Sequence, residues 1–172
     1  FTSVRRDPRT LCRAVDPDRL TAADAARIIE EAAGIEKLAA GVRLRVARRI
    51  DESVAGAEGE DGPGRCLAKR TGQTPKDAAK DIETSEKLDQ LDATDDALAN
   101  GDLSPTQAHE VSSAASADPS AERGLLDTAK NASVPELKRK AKKVRAAATD
   151  NEDKAKQAHE NRDLFSGTDD ET

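Results

Sequence analysis

Apolar side chains recur at alternating intervals of three and four residues between positions 25 and 46. Such spacing places them along one face of an α-helix, in the manner of a coiled-coil seam. Thr21 precedes the run as an N-cap, and Asp24 follows three residues later as an acidic version of the capping box. The sequence therefore predicts a long amphipathic helix over about residues 21–54, whose seam consists of Ala25, Ile28, Ala32, Ile35, Ala39, Val42 and Val46.

Two glycines, Gly34 and Gly41, lie seven residues apart within this helix. Each costs about 1 kcal/mol relative to alanine in a helix interior, so we expect another helix to approach closely at both positions. The seam then has two interpretations, which the sequence leaves open. It is either a homodimer interface or a surface that packs against helices of the same chain.

The composition favours helices throughout. Alanine, the best helix former, is abundant, whereas the aromatic residues are limited to two Phe, and Trp, Tyr and Met are absent. At 172 residues the chain has the size of one ordinary domain. A charged fraction of 36% is also typical of disordered chains, but disorder does not require periodic apolar spacing. We predict an all-α, multi-helix domain with one long amphipathic N-terminal helix, several short helices and a thin, alanine-rich core.

Prolines mark the starts of three later helices. Pro75, Pro105 and Pro135 each begin a charged or alanine-rich run, and Thr74 and Ser104 stand before the first two as N-caps. The runs behind the prolines share little else, so their spacing of thirty residues does not indicate a repeat protein. Further signals are a stop at Asn100 and Gly101, a short helix near Pro119, and a helix from residue 133 that is expected to break at 149–151 before it continues.

These signals divide the chain into three parts. Residues 1–19 are predicted to be an irregular basic arm, or simply a frayed terminus. Residues 20–164 form the helical domain, in which an acidic, glycine-rich loop at 56–64 separates the long helix from shorter helices over 65–164. Residues 165–172 are an acidic tail, which we expect to be the truncated start of a further domain. The absence of any methionine, even at position 1, fits a fragment or a processed product.

Residues 67–82, "LAKRTGQTPKDAAKDI", have the layout of two short helices that meet at Gly72. This layout fits a DNA-reading helix-turn-helix, but it equally fits an ordinary helix pair, which we prefer. The core-facing residues are predicted to be Leu67, Ala68, Ala78 and Ile82. The candidate nucleic-acid contacts are Lys69, Arg70, Lys76 and Lys80, opposed by Asp77 and Asp81, which would face the phosphates too.

The strongest cationic segment is "LKRKAKKVR" near the C-terminus. The formal net charge of −6 argues against binding nucleic acid through overall charge, so any contact has to come from such a local patch. The acidic segment 81–96 would cancel the patch if the two paired inside the protein. The candidate contacts are Lys138, Arg139, Lys140, Lys142, Lys143 and Arg145, placed around an apolar stripe of Leu137, Ala141, Val144 and Ala148.

No catalytic or metal-binding constellation is recognisable in the sequence. His109 and His159 are fifty residues apart, without the spacing of a metal site, and are expected to be surface or packing residues. Phosphate-binding loops and nucleophile motifs are also lacking, so we predict neither an enzyme, nor a cofactor, nor a small-molecule substrate for this chain. Two isolated cysteines, Cys12 and Cys66, favour a reducing cytosol, and no apolar run is long enough to span a membrane.

The order of these segments resembles that of a known family. The turn "LAKRTG" with "TPKDA" behind it, and "ALANGDLSPTQAHEV", are similar to the domain of unknown function 222, with a resemblance that extends over roughly residues 17–164. That family is the helical N-terminal part of many HNH endonuclease-like proteins. The resemblance implies an all-helical module, usually followed by a C-terminal HNH domain whose divalent-metal site cuts DNA. No HNH motif occurs in this sequence, so no site residue carries over.

The leading functional prediction is a non-catalytic helical module that assists DNA binding or positions a nuclease domain. The alternative is a helical interaction or dimerisation module that acts through the long helix without touching nucleic acid.

Overall fold

A computed structural model describes residue 13 and residues 15–53 and 62–166, with side chains described over 15–50 and 62–151. This part of the chain is all-α and contains no strand, as predicted. The helices are α1 (Ala22–Val46), α2 (Arg48–Ser53), α3 (Pro63–Thr71), α4 (Pro75–Lys87), α5 (Asp92–Ala99), α6 (Pro105–Ala117), α7 (Glu122–Asn131) and α8 (Val134–Ser166), with 3₁₀ turns at Pro17–Arg19, Leu88–Gln90 and Pro119–Ala121.

The predicted helix starts are confirmed by their caps. The Thr74 hydroxyl accepts a hydrogen bond from the Asp77 backbone N–H at 3.2 Å, where α4 begins. Ser104 and Gln107 form a complete capping box at the start of α6, because each side chain accepts from the other residue's backbone N–H. These bonds satisfy amide groups that lack partners within the helix, and so fix its first turn. Thr21 caps α1 in the same way as Thr74 caps α4.

The predicted break in the last helix is wrong, and the predicted long helix is present but irregular at one residue. The expected break at 149–151 is absent, because α8 continues through it and the Thr149 hydroxyl bonds to the Arg145 carbonyl one turn earlier at 3.1 Å. The long helix is interrupted at Ala47, where the Arg48 N–H donates to the Ser85 hydroxyl at 3.2 Å instead of continuing the helical series. The loop expected at 56–64 ends earlier than predicted, since α3 already begins at Pro63, a residue suited to a first turn.

The main core lies around α6. Ala108, Val111, Ala114 and Ala115 of α6 are all fully buried, against leucines from α5, α7 and α8. Alanines at this density allow helices to pack closely, which confirms the expected thin, alanine-rich core. A second cluster joins α3 and α4 to the end of α1 and consists of Ala47, Leu67, Ala68, Ala78 and Ile82, as predicted for the helix pair. The pair meets at Gly72, whose φ of 72° is the left-handed conformation that suits glycine.

The seam of α1 does not face this core. Ala40, Gly41 and Leu44 are buried instead, whereas Ile35 and Val42 of the seam are 63% and 66% exposed. Within the part that the structure describes, the seam from position 32 onward therefore does not pack against the same chain, whereas Ala25 and Ile28 are partly buried. The buried face is set by Gly41, because a Cβ there would lie 2.5 Å from the Leu98 carbonyl oxygen.

No described atom lies within 4 Å of a Cβ built at Gly34, so this position does not require glycine, although the turn at Gly101 lies near its backbone: a Cβ built on Gly101 would be 3.7 Å from the Gly34 carbonyl oxygen. Several predicted features lie outside the described residues: most of the basic arm, most of the 56–64 loop, the side chain of His159, and residues 167–172 of the tail. Among the described helices, none combines the length and apolar character that a membrane crossing requires.

Candidate functional site

A polar cleft of about 640 Å³ lies between α4, α6 and α8, with the C-terminal end of α1 at its base. Its lining is almost entirely charged or hydroxyl-bearing, and it includes three of the predicted nucleic-acid residues, Lys80, Lys138 and Arg145. The cleft therefore brings together cations from the helix pair and from the basic segment, which are far apart in sequence.

The base of the cleft is formed by Asp81, whose side chain is only 1% exposed. Arg43 Nε donates to its Oδ2 at 2.9 Å, and Gln73 Nε2 donates to the same oxygen at 3.0 Å. The imidazole Nε2 of His109 approaches Oδ1 at 3.2 Å. The expectation that Asp81 would face phosphates is wrong, because the carboxylate points inward to these three partners.

The pKa of Asp81 lies below its usual value. Burial favours the neutral acid and so raises this pKa, but the interactions with His109, Gln73 and Arg43 outweigh that effect and lower it. The carboxylate is consequently ionised at neutral pH. It ties the end of α1 to α4 and α6, and this link has no counterpart in the sequence predictions.

His109 connects two helices at the same place. Its Nδ1 is 2.7 Å from the Thr84 hydroxyl, so that the ring bridges Asp81 and Thr84, one turn apart on α4. Asp, His and Thr in contact have the order of an acid–base–nucleophile triad. Thr84, however, is only 3% exposed, so its hydroxyl is not accessible from solvent. The contacts between Asp81, His109 and Thr84 therefore serve to pack α4 against α6. The prediction of a packing histidine fits this position.

Most charged groups around the cleft are paired across or along its walls. Arg145 lies 3.4 Å from Glu110 and also donates to Ser113, while Lys80 lies 3.4 Å from Asp77. Lys87 pairs with Glu83. Lys138 differs from these cations, because its ammonium group has no ion pair or hydrogen bond to any described residue.

The acidic segment 81–96 does not cancel the basic segment among the described residues. Three of its carboxylates pair instead with arginines of α1 and α2, in the pairs Asp81–Arg43, Asp95–Arg45 and Asp89–Arg48. Each pair joins residues about forty or fifty positions apart in the sequence. Between described side chains, the internal neutralisation that the sequence left open is therefore absent, and the acidic segment holds the N-terminal helices to α4, α5 and the 3₁₀ turn between them.

The basic face of α8 is defined here as Lys138, Arg139, Lys142 and Lys143, all exposed. Arg139 approaches Glu136 at 3.7 Å, whereas the three lysines have no partner among the described residues. The other two predicted cations of this segment are held by neighbours. Lys140 donates to the Gly124 carbonyl and the Thr128 hydroxyl of α7, and Arg145 is bound to Glu110.

The apolar stripe predicted for this segment is confirmed over three of its four residues, since Leu137 and Ala141 are fully buried and Val144 packs against the same core, whereas Ala148 is only partly buried and lies outside that core cluster. The candidates of the helix pair are more dispersed. Lys69 and Arg70 lie in the last turn of α3, Lys76 lies in the first turn of α4, and all three are exposed.

Comparisons with known proteins add no relative. No family model matches the chain, and neither the curated proteins nor the solved structures contain a match. The resemblance to the domain of unknown function 222 stays a prediction that rests on the residues quoted for it.

Proposed function

We propose that this chain is a helical module that contacts the phosphate backbone of DNA through the basic face of α8. The proposal rests on one observation: three lysines of that face carry charge that no described residue neutralises. Lysine ammonium groups at the surface attract phosphates through charge alone and release counterions on binding, without reading sequence. By resemblance to the domain of unknown function 222, we further propose that the module serves to position an HNH nuclease domain.

Because the chain has a net charge of −6, the affinity of this contact for DNA is expected to depend on the salt concentration. Acidic groups elsewhere repel a polyanion, and charges at protein surfaces are screened beyond about 10 Å at 0.1 M salt. Binding is accordingly expected to be weak and local, and strongest at low salt. The pairing of the acidic segment with α1 and α2 supports the proposal, because it removes those carboxylates from competition for the lysines.

The test is a fluorescence-anisotropy titration of duplex DNA at several salt concentrations. Replacing Lys138, Lys142 and Lys143 together by alanine is expected to weaken binding and to reduce the slope of log K against log salt by up to about 3, roughly one for each lost phosphate contact. A matched variant removes the same charge from the helix pair, at Lys69, Arg70 and Lys76. It is expected to retain most of the affinity.

Equal losses in the two variants would show that binding follows overall charge, and the role of α8 would be refuted. A wild-type protein that fails to bind at low salt would refute the DNA contact altogether. Both variants replace exposed side chains, so circular dichroism should report unchanged folding.

A second function is favoured by a different observation, the exposed seam of α1. We propose that α1 docks a partner helix along this face. Ile35, Val42 and Val46 are more than half exposed, and side chains of this size are normally covered when they form a continuous stripe. An apolar fluorescent dye of the naphthalene sulfonate type is expected to bind the dilute protein, and Ile35→Asp to abolish most of that signal. Dilute protein that leaves the dye unbound would refute the docking function.

A further inference from the structure

The exposed stripe of α1 is the largest unexplained apolar feature among the described residues. Apart from Val15, every large apolar side chain that is exposed there lies on α1: Ile35, Leu38, Val42 and Val46 form the stripe, and Ile29 lies about 120° around the helix from Ile35. The opposite side of α1, at Ala40, Gly41 and Leu44, packs against α4 and α5. The stripe is therefore accessible to a partner that does not disturb the fold.

We propose that the partner is a second copy of this chain, with the two α1 helices packed antiparallel. This inference rests on the proposed docking function of α1 and names its partner. Homodimers with two-fold symmetry are the commonest protein assemblies, and a helix that pairs with its own copy needs only one self-complementary face.

Side-chain size along the stripe selects the antiparallel orientation. Alanines occupy positions 25, 32 and 39, and larger residues occupy positions 28, 35 and 42. In a parallel pair equivalent positions meet, so alanine would face alanine and isoleucine would face isoleucine, which leaves gaps between crowded layers. In an antiparallel pair the two kinds of position face each other, so the central layers each combine one small and one larger side chain.

One register covers the stripe from position 28 to position 46. It pairs Ile35 with Ala39 of the second copy, and Ala32 with Val42 of the second copy. The outer layers pair Ile28 with Val46. Leu38 then lies beside its own copy at the centre, where its 46% exposed side chain would be covered.

The charges of α1 agree with this orientation. Its first half, residues 22–34, contains three acidic residues and one arginine, whereas residues 35–46 contain one glutamate and three basic residues. Antiparallel packing therefore places unlike halves together. In the register above, Glu31 lies beside Arg45 of the second copy. Arg45 is 48% exposed while it binds Asp95, so its guanidinium can accept a second carboxylate.

The size of the interface predicts a reversible dimer. The 25 residues of α1 extend for about 37 Å, and a helix is about 10 Å wide. The resulting contact of roughly 400 Å² on each copy is half of the about 800 Å² that stable complexes bury per partner. We therefore expect the protein to be monomeric when dilute and increasingly dimeric in the micromolar to millimolar range.

Sedimentation equilibrium over that range measures the association. Ile35→Asp is expected to weaken the dimer at least about tenfold, because it places a carboxylate in the apolar interface. The matched control is Ala26→Asp, which introduces the same charge at an exposed position on the opposite side of α1. It is expected to change the association constant less than about twofold, since it lies outside the interface. Equal melting temperatures would show that both variants remain folded.

Disulfide trapping measures the orientation. Ile28→Cys and Val46→Cys variants, each with the native cysteines replaced by serine, are mixed and oxidised at a concentration that gives dimer. The antiparallel register predicts the mixed disulfide between the two variants. Homodisulfides of each variant would indicate a parallel pair and overturn the inference.

The other outcomes are equally distinct. A wild-type protein that stays monomeric at about 1 mM overturns the second copy as partner, even if dilute protein binds the apolar dye and the docking function survives. Association that Ala26→Asp weakens as much as Ile35→Asp also overturns it, because the interface would then lie elsewhere.

Discussion

Gly41 and Gly34 occupy the same helix, yet replacing each by alanine should shift the free energy of unfolding in opposite directions. A Cβ at position 41 would lie 2.5 Å from the Leu98 carbonyl oxygen and 3.3 Å from its carbonyl carbon. These are backbone atoms, so relief requires α1 and α5 to separate. Overpacking of this kind costs up to about 3 kcal/mol. Alanine regains about 1 kcal/mol of helix propensity, which leaves a net loss of about 2 kcal/mol.

At position 34 a new Cβ meets no described atom within 4 Å, so only the propensity gain of up to about 1 kcal/mol remains. Urea or thermal unfolding followed by circular dichroism measures both changes. In a chain of this size 1 kcal/mol shifts the melting temperature by about 2–4 °C, so the two variants should melt several degrees apart. If Gly41→Ala stabilises the protein as much as Gly34→Ala does, the close packing of α1 on α5 is refuted.

Two further perturbations follow from the contacts of Asp81 and Ser104. Asp81→Asn should cost about 1–3 kcal/mol at pH 7, because the buried hydrogen bonds to Arg43 and Gln73 lose their charged acceptor. Since the pKa of Asp81 is lowered by folding, its stabilisation is present above the ordinary value of 3.8 and is lost as the pH falls through the folded-state pKa. Urea titrations from pH 6 to pH 3 should therefore show the wild-type advantage over Asp81→Asn shrinking below about pH 4; a constant difference would contradict this assignment. Ser104→Ala should cost about 1 kcal/mol in the same unfolding assay, whereas Ser104→Asp should retain most of the cap; equal losses would mean that the hydroxyl cap contributes nothing.

Helix identity and most helix starts could be predicted because they depend on local chemistry. A proline in the first turn and a hydroxyl before it specify the same structure wherever they occur, as Thr74 and Ser104 illustrate. The helix pair at Gly72 was predictable for a similar reason, since its apolar positions have to meet once the turn is made. The wrong break at 149–151 and the unforeseen irregularity at Ala47 involve residues whose hydrogen bonds have several solutions. Thr149 bonds back to its own helix, and Ser85 takes an N–H from a distant one.

The face that α1 buries could not be read from its sequence. Periodicity identifies an apolar stripe that includes Ile35 and Val42, but the buried face of α1 is the one where Gly41 allows the helix to approach α5. The polar cleft was equally hidden, because Arg43, Asp81 and His109 come from three separate helices. Asp81 stands between Lys80 and Ile82 in a largely polar stretch, so no local pattern distinguished it as the centre of a buried ion pair.

The first buried residue of α1 is Ala40, near the C-terminal end of the helix, and its position affects the rate of amide hydrogen exchange. No residue from Ala22 to Ala39 is buried, whereas α6 is buried along much of its length. An isolated helix of this length is marginal in water, so the first half of α1 depends mainly on its own hydrogen bonds and its Thr21 cap. Amide hydrogens there should exchange with solvent through local fraying, long before those of α6, which exchange only when the domain unfolds. The two ends of α1 would thus differ in the free energy of the opening reaction that exposes their amide hydrogens.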